Sequence, residues 1–205
     1  MNNSARSIII GSVLSADIRG FVVASRIPEP EVPTFGTFVR APIQQERAAV
    51  IGLVYDIRLE ADPFLRGIAA TFSETSEQYQ EVIADQREVR LLPVEISVVS
   101  VGYCDAAGYQ YGLPPQPPMY LHQITVCDKE EVRTITAQPD FLHPLLESRN
   151  IPINDLITTA IRRAAGLRSG TRDDYLLATA RYLARYLGHE PLRLETILRR
   201  LQPTG

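Results

Sequence analysis

The chain has 205 residues, 45% of them apolar and 22% charged, with a net charge of −3. That balance fits one soluble globular domain, or one domain with a small appendage, long enough to bury a core without disulfides or metals. No apolar run reaches the roughly 18 residues of a membrane span. Ile8-Ile9-Ile10 is too short for a secretory signal, and Cys104 and Cys127 make neither a disulfide framework nor a four-ligand metal site; a cytoplasmic location is expected.

Residues 7–27 read as two strands. Ile8, Ile10 and Val13, then Phe21, Val22, Val23 and Ile27, are split by a turn at Ala16–Gly20. Pro28, Pro30 and Pro33 mark an extended loop. Phe35–Arg40 reads as a short strand, Pro42–Arg47 as a turn, and Ala48–Ile57 as a longer strand with Gly52 inside it. A glycine there suggests a bulge or tight bend of the kind that closes a small barrel. Asp62-Pro63 opens a helical insertion running to about residue 90, with Thr75-x-x-Gln78 as a capping box and Tyr79, Val82 and Ile83 on one face.

Residues 92–104 are again strand-like, followed by a loop with Pro114, Pro115, Pro117 and Pro118. Tyr120–Val126 reads as a strand and Asp140–Glu147 as a short helical segment. Three helices finish the chain. Asn154 caps the first, with Leu156, Ile157, Ala160, Ile161 and Ala164 on its buried face and Gly166 at its end. Thr171-x-x-Asp174 caps the second, with Leu176, Ala180, Leu183 and Leu187 as its buried stripe and Tyr175, Tyr182 and Tyr186 beside it. Pro191 starts the third, with Leu194, Ile197, Leu198 and Leu201. The expected fold is α+β: a small closed β-barrel of about six strands over residues 6–147, a helical insertion at about 62–90, and a C-terminal three-helix region over 150–203.

Absent motifs exclude several chemistries. Lys129 is the only lysine among 21 basic residues, and it sits in Cys127-Asp128-Lys129-Glu130 with no glycine nearby. A phosphate-binding P-loop needs a glycine-lysine pair, so the chain cannot be a conventional nucleotide hydrolase by itself. No two glycines are two positions apart, which removes the dinucleotide turn, and no Gly-x-Ser-x-Gly elbow occurs. His122, His143 and His189 have no helical zinc spacing. Asp17, Asp56 and Asp62 fall at turns and strand ends, where Asp satisfies local backbone. His122 could meet Cys104 or Cys127 as a dyad, although a cysteine on an apolar strand is more often packing. His143, before Pro144, reads as a surface turn residue. No cofactor is expected.

The β-rich part resembles the HAS-barrel, the small N-terminal barrel of HerA-type DNA translocases and of ATP-synthase ring subunits. Ile10-Gly11-Ser12-Val13 leading to Phe21-Val22-Val23 looks like its opening. Phe35–Val39 with Val50–Ile57 looks like its next strand pair, and Val94–Ile96 to Val101–Tyr103 like its late strand. Pro118–Leu121 followed by Phe141-Leu142 looks like its exit towards a motor. In the translocases a P-loop ATPase follows; here three helices do. The resemblance therefore implies only the non-motor role, a barrel that packs in a ring and offers a docking surface. The partners it implies are a P-loop ring ATPase or a DNA-processing nuclease on a separate chain, with self-association possible. It carries over no catalytic residue.

Charge is uneven. Residues 1–159 hold 12 basic and 20 acidic side chains, net −8, and residues 160–205 nine basic and four acidic, net +5. Arg162, Arg163, Arg181, Arg185, Arg193, Arg199 and Arg200, with Tyr182 and Tyr186, are the candidate partner-binding residues. Arg181 and Arg185 lie one helical turn apart and share a face. The expected role is a non-enzymatic oligomeric adaptor. The alternatives are direct nucleic-acid binding through these helices and an enzyme whose site has no recognisable motif.

Overall fold

A computed structural model describes residues 8–25, 33–59, 94–148 and 151–202. The expected insertion at about 62–90, including Asp62 and the Thr75–Gln78 capping box, lies outside the described residues. Seven strands are present: β1 (Ile9–Asp17), β2 (Gly20–Ser25), β3 (Phe38–Ile43), β4 (Ala48–Leu59), β5 (Val94–Asp105), β6 (Gly108–Tyr111) and β7 (Gln123–Val126). All pair antiparallel. The order β2-β1-β7-β3-β4-β5 closes on itself because β2 also pairs with β5, at Phe21↔Val98 and Val23↔Ile96 among others. Six strands thus form a barrel, and β6 continues the sheet outside it along the second half of β5.

β4 and β5 are nearly continuous apolar runs because both of their faces are covered. One face fills the barrel with Val50, Val54, Ile96 and Val98 beside Ile10, Phe21 and Val23. The other presents Ile51, Leu53, Val99 and Val101 to the helices. The register slips between Ile51 and Gly52, the bulge that the glycine anticipates. A Cβ at Gly52 would stand 2.3 Å from Val98 Cγ1 and 3.5 Å from the Phe21 ring, so its missing side chain leaves the interior volume that those two residues occupy.

Among the described residues five α-helices and one 3₁₀ turn cover the outer wall: α1 (Lys129–Ile135), the turn Pro139–Leu142, α2 (His143–Glu147), α3 (Ile153–Gly166), α4 (Arg172–Tyr186) and α5 (Pro191–Leu201). They share one core with the barrel wall, in which Phe141, Leu142, Leu156, Ile161 and Leu183 are fully buried. Phe141 lies against Phe38 of β3, ring centroids 6.0 Å apart. Gly36, at φ +74°, lets the chain entering β3 lie against α3: a Cβ there would meet Thr159 Cγ2 at 2.5 Å.

Several boundaries differ from the sequence reading. β3 runs from Phe38 through Pro42 to Ile43, later than Phe35–Arg40. Only Gln123–Val126 of the expected Tyr120–Val126 strand is extended; Leu121 sits in a turn at φ +65°. α3 begins at Ile153 after Pro152, so Asn154 is inside the helix, where its Oδ1 accepts from Arg193 Nε at 2.9 Å. On α4 the buried positions are Tyr175, Thr179, Tyr182 and Leu183, whereas Leu176 and Ala180 are only half-buried. The stripe is rotated because the bulky tyrosines bury more apolar area than the alanine. α1 and β6 are additional elements. α1 opens on a capping box: Asp128 Oδ1 accepts from the Glu130 and Glu131 amides at 2.8 Å each, and Glu131 Oε2 accepts from the Asp128 amide at 2.9 Å.

Candidate functional site

The C-terminal arginines divide into two sets. The first fastens helices to one another and to the barrel. Arg163 donates to Thr34 Oγ1 and, at 3.1 Å, to the Phe35 carbonyl, tying α3 to the loop before β3. Arg162 donates to the Arg200 carbonyl, and Arg200 donates to Asp155, which join α3 to α5. Arg193 binds Asn154 and Glu190. Arg168 donates to the Thr136 carbonyl at 2.8 Å while its guanidinium lies 4.1 Å from the centre of the Tyr175 ring. The second set, Arg172, Arg181 and Arg185 on α4 and Arg199 on α5, is exposed, and among the described residues none of the four has an ion pair or side-chain hydrogen bond. The seven arginines that sequence grouped together are therefore not one patch.

The tyrosines divide as well. Tyr182 is buried and its hydroxyl has no hydrogen-bond partner among the described residues, whereas Tyr186 is 47% exposed. Their rings stand 4.7 Å apart, and Tyr186 continues to the His143 ring at 5.3 Å. Burial, and then the neighbouring Tyr186, push the Tyr182 hydroxyl well above its ordinary value. Burial likewise lifts Tyr175 to about 12, against the lowering effect of Arg168. Burial thus holds both hydroxyls in their protonated form. Gln138, Pro139, Asp140, Tyr182, Arg185 and Tyr186 line a hollow of about 430 Å³ between α4 and the 3₁₀ turn.

His143 opens α2 and is half-buried, not a surface turn residue. Its Nε2 is 3.5 Å from Glu147 Oε1, and its buried Nδ1 has no partner among the described residues. It borders a larger cleft of about 900 Å³ with Asp17, Arg19, Tyr55 and Ser148. Of the other candidates for chemistry, Cys104 is a free half-buried thiol, and Asp17, Asp56 and His122 have partners. Asp17 Oδ1 accepts from the Arg19 and Gly20 amides at 2.6 and 3.0 Å, closing the β1–β2 turn. Asp56 accepts from Arg58 at 2.8 Å. His122 Nδ1 lies 3.2 Å from the Pro42 carbonyl, and burial drives the Cys127 thiol strongly upward, away from the thiolate a nucleophile needs. Among the described residues no group of three or more His, Cys, Asp or Glu is placed to hold a metal ion, and no helix is long and apolar enough to cross a membrane.

One stretch, read from sequence as a barrel exit and the start of a strand, is an exposed apolar turn. Met119, Tyr120 and Leu121, 56–64% exposed, stand on a turn beside Leu14 of β1, itself 38% exposed. The turn is pinned to β1: the Val13 amide donates to the His122 carbonyl at 3.0 Å, and the Leu121 amide donates to the Val13 carbonyl at 3.1 Å. A leucine at φ +65° is strained, at a cost of about 1 kcal/mol, and here it holds an apolar side chain out in water. The residues looked like alternating strand positions because a periodicity cannot report a left-handed turn. No protein-family model matches the chain, and no curated protein matches it.

Proposed function

We propose that this protein is a non-enzymatic adaptor of the HAS-barrel kind, docking through its barrel onto a P-loop ring ATPase or a nuclease that acts on DNA and is supplied by a separate chain. The observation that carries the reading is the exposed apolar turn Met119-Tyr120-Leu121 beside Leu14 on the rim of the closed barrel. Contiguous exposed apolar side chains mark contact surfaces, and a strained leucine among them is retained against its own stability cost. The likeness of the barrel sequence to HAS-barrels supplies the class of partner; the family's motor would supply the chemistry.

Affinity purification of the full chain from its native cells, with mass-spectrometric identification of what is retained, tests this. The expected result is retention of a P-loop ATPase or a nuclease, lost in a Tyr120→Ser/Leu121→Ser variant whose circular dichroism is unchanged. Retention of neither class, or equal retention by the variant, overturns the proposal.

A further inference from the structure

Of the three α4 arginines that form no ion pair or side-chain hydrogen bond among the described residues, Arg172, Arg181 and Arg185, the last two define a second surface. Arg181 and Arg185 are four residues apart, so they project from one face with their Cβ atoms about 6 Å apart. Five other C-terminal arginines, Arg162, Arg163, Arg168, Arg193 and Arg200, meet carbonyls, hydroxyls, an amide or carboxylates of the protein itself. Arg181 and Arg185 meet none among the described residues. Beside Arg185 opens the hollow floored by the buried Tyr182 and flanked by the half-exposed Tyr186. A guanidinium fork pairs with a carboxylate through two parallel hydrogen bonds, and an aromatic wall accepts an apolar or aromatic side chain.

We infer that this face of α4 binds an acidic segment of a protein partner, two of whose carboxylates, one helical turn apart, meet Arg181 and Arg185 while a neighbouring apolar side chain enters the hollow. The inference rests on the adaptor reading and names the chemistry of one contact. Charge placement favours a peptide over a nucleic acid. Asp140 lies on the opposite wall of the hollow, and Asp173 and Asp174 stand in the first turn of α4. A phosphodiester chain carries a charge at every nucleotide and would meet these carboxylates; a peptide needs anionic groups only opposite the arginines.

The probe is a random dodecapeptide library displayed on phage, panned against the full chain and against an Arg181→Glu/Arg185→Glu variant with an unchanged circular-dichroism spectrum. The wild type is expected to enrich sequences with Asp or Glu at three- or four-residue spacing. A synthetic peptide from that pool should lose about tenfold or more in affinity for the variant and weaken with added salt, and the variant should enrich Lys and Arg instead. If charge reversal disturbs the fold, Arg181→Gln/Arg185→Gln serves, with loss of the acidic preference as its expected result. A pool without acidic preference, the same pool from both proteins, or oligothymidylate binding more tightly than the selected peptide overturns the inference. Retention of the ATPase or nuclease by the Arg181→Glu/Arg185→Glu variant, together with its loss in the Tyr120→Ser/Leu121→Ser variant, sinks this inference and leaves the adaptor reading standing.

Discussion

Replacing Phe141 by alanine tests whether barrel and helices are one cooperative unit. The side chain is fully buried, packs on Phe38 of β3, and belongs to a core that runs from Leu53 and Val101 of the barrel wall to Leu156 and Leu183 of the helices. Phenylalanine-to-alanine changes in such cores cost about 3–5 kcal/mol, the lost aromatic contact included. With a urea dependence of about 2–3 kcal/mol per molar for a chain of this size, the midpoint should fall by about 1–2.5 M. Two readouts are needed: far-UV circular dichroism for α3–α5, and native-state hydrogen exchange of β4 and β5 amides for the barrel. Both should shift together, because the removed ring touches both layers. A shift confined to the helical signal, with barrel amides as protected as before, would show that the shared core does not couple them.

Three further outcomes follow from particular residues. Gly52→Ala places a methyl 2.3 Å from Val98 Cγ1 and 2.9 Å from the Val99 carbonyl oxygen; thermal denaturation should show a loss of about 1–3 kcal/mol, and an unchanged midpoint would deny the bulge its filling role. Leu121→Gly relieves the positive φ and should stabilise the fold by about 0.5–1 kcal/mol while weakening partner retention; a destabilised variant would mean the leucine packs instead of projecting. Tyr175 is raised by burial from 10.0 to about 12, and Tyr109 and Tyr182 are raised in the same sense. Their neutral forms favour the folded state fully below pH 10, and that contribution is lost as pH rises from 10 towards 12, since the unfolded chain ionises first. Tyrosinate absorbance and circular dichroism should therefore change together in that window; complete tyrosine ionisation near pH 10 with the fold intact would contradict it.

What was legible in the sequence follows the physics of each signal. Runs of β-branched and aromatic residues located β1, β2, β4 and β5, and Gly52 announced the bulge, because apolar composition and a missing Cβ are local properties. The capping pattern Asp128-x-x-Glu131 is present in the sequence as a local signal for the start of α1. The division of the arginines was not legible. Whether Arg163 grips Thr34 or faces solvent depends on a contact across 129 positions of chain, and composition gives every arginine the same weight. Tyr182 and Tyr186 are likewise alike in sequence, yet one floors a hollow and the other flanks it. Pro118–Leu121 stood out only by its resemblance to a barrel exit; that Tyr120 and Leu121 form an exposed turn was not legible, because they read as strand until the backbone is seen to turn left-handed.

The proposal stands on closure of the barrel, and closure stands on the β2–β5 pairing. Nuclear Overhauser spectra of the isotopically labelled chain report it directly through cross-strand backbone contacts between Phe21 and Val98 and between Val23 and Ile96. The account predicts these contacts together with slow exchange of the β2 amides; their absence, with β2 exchanging as a free sheet edge, would contradict it.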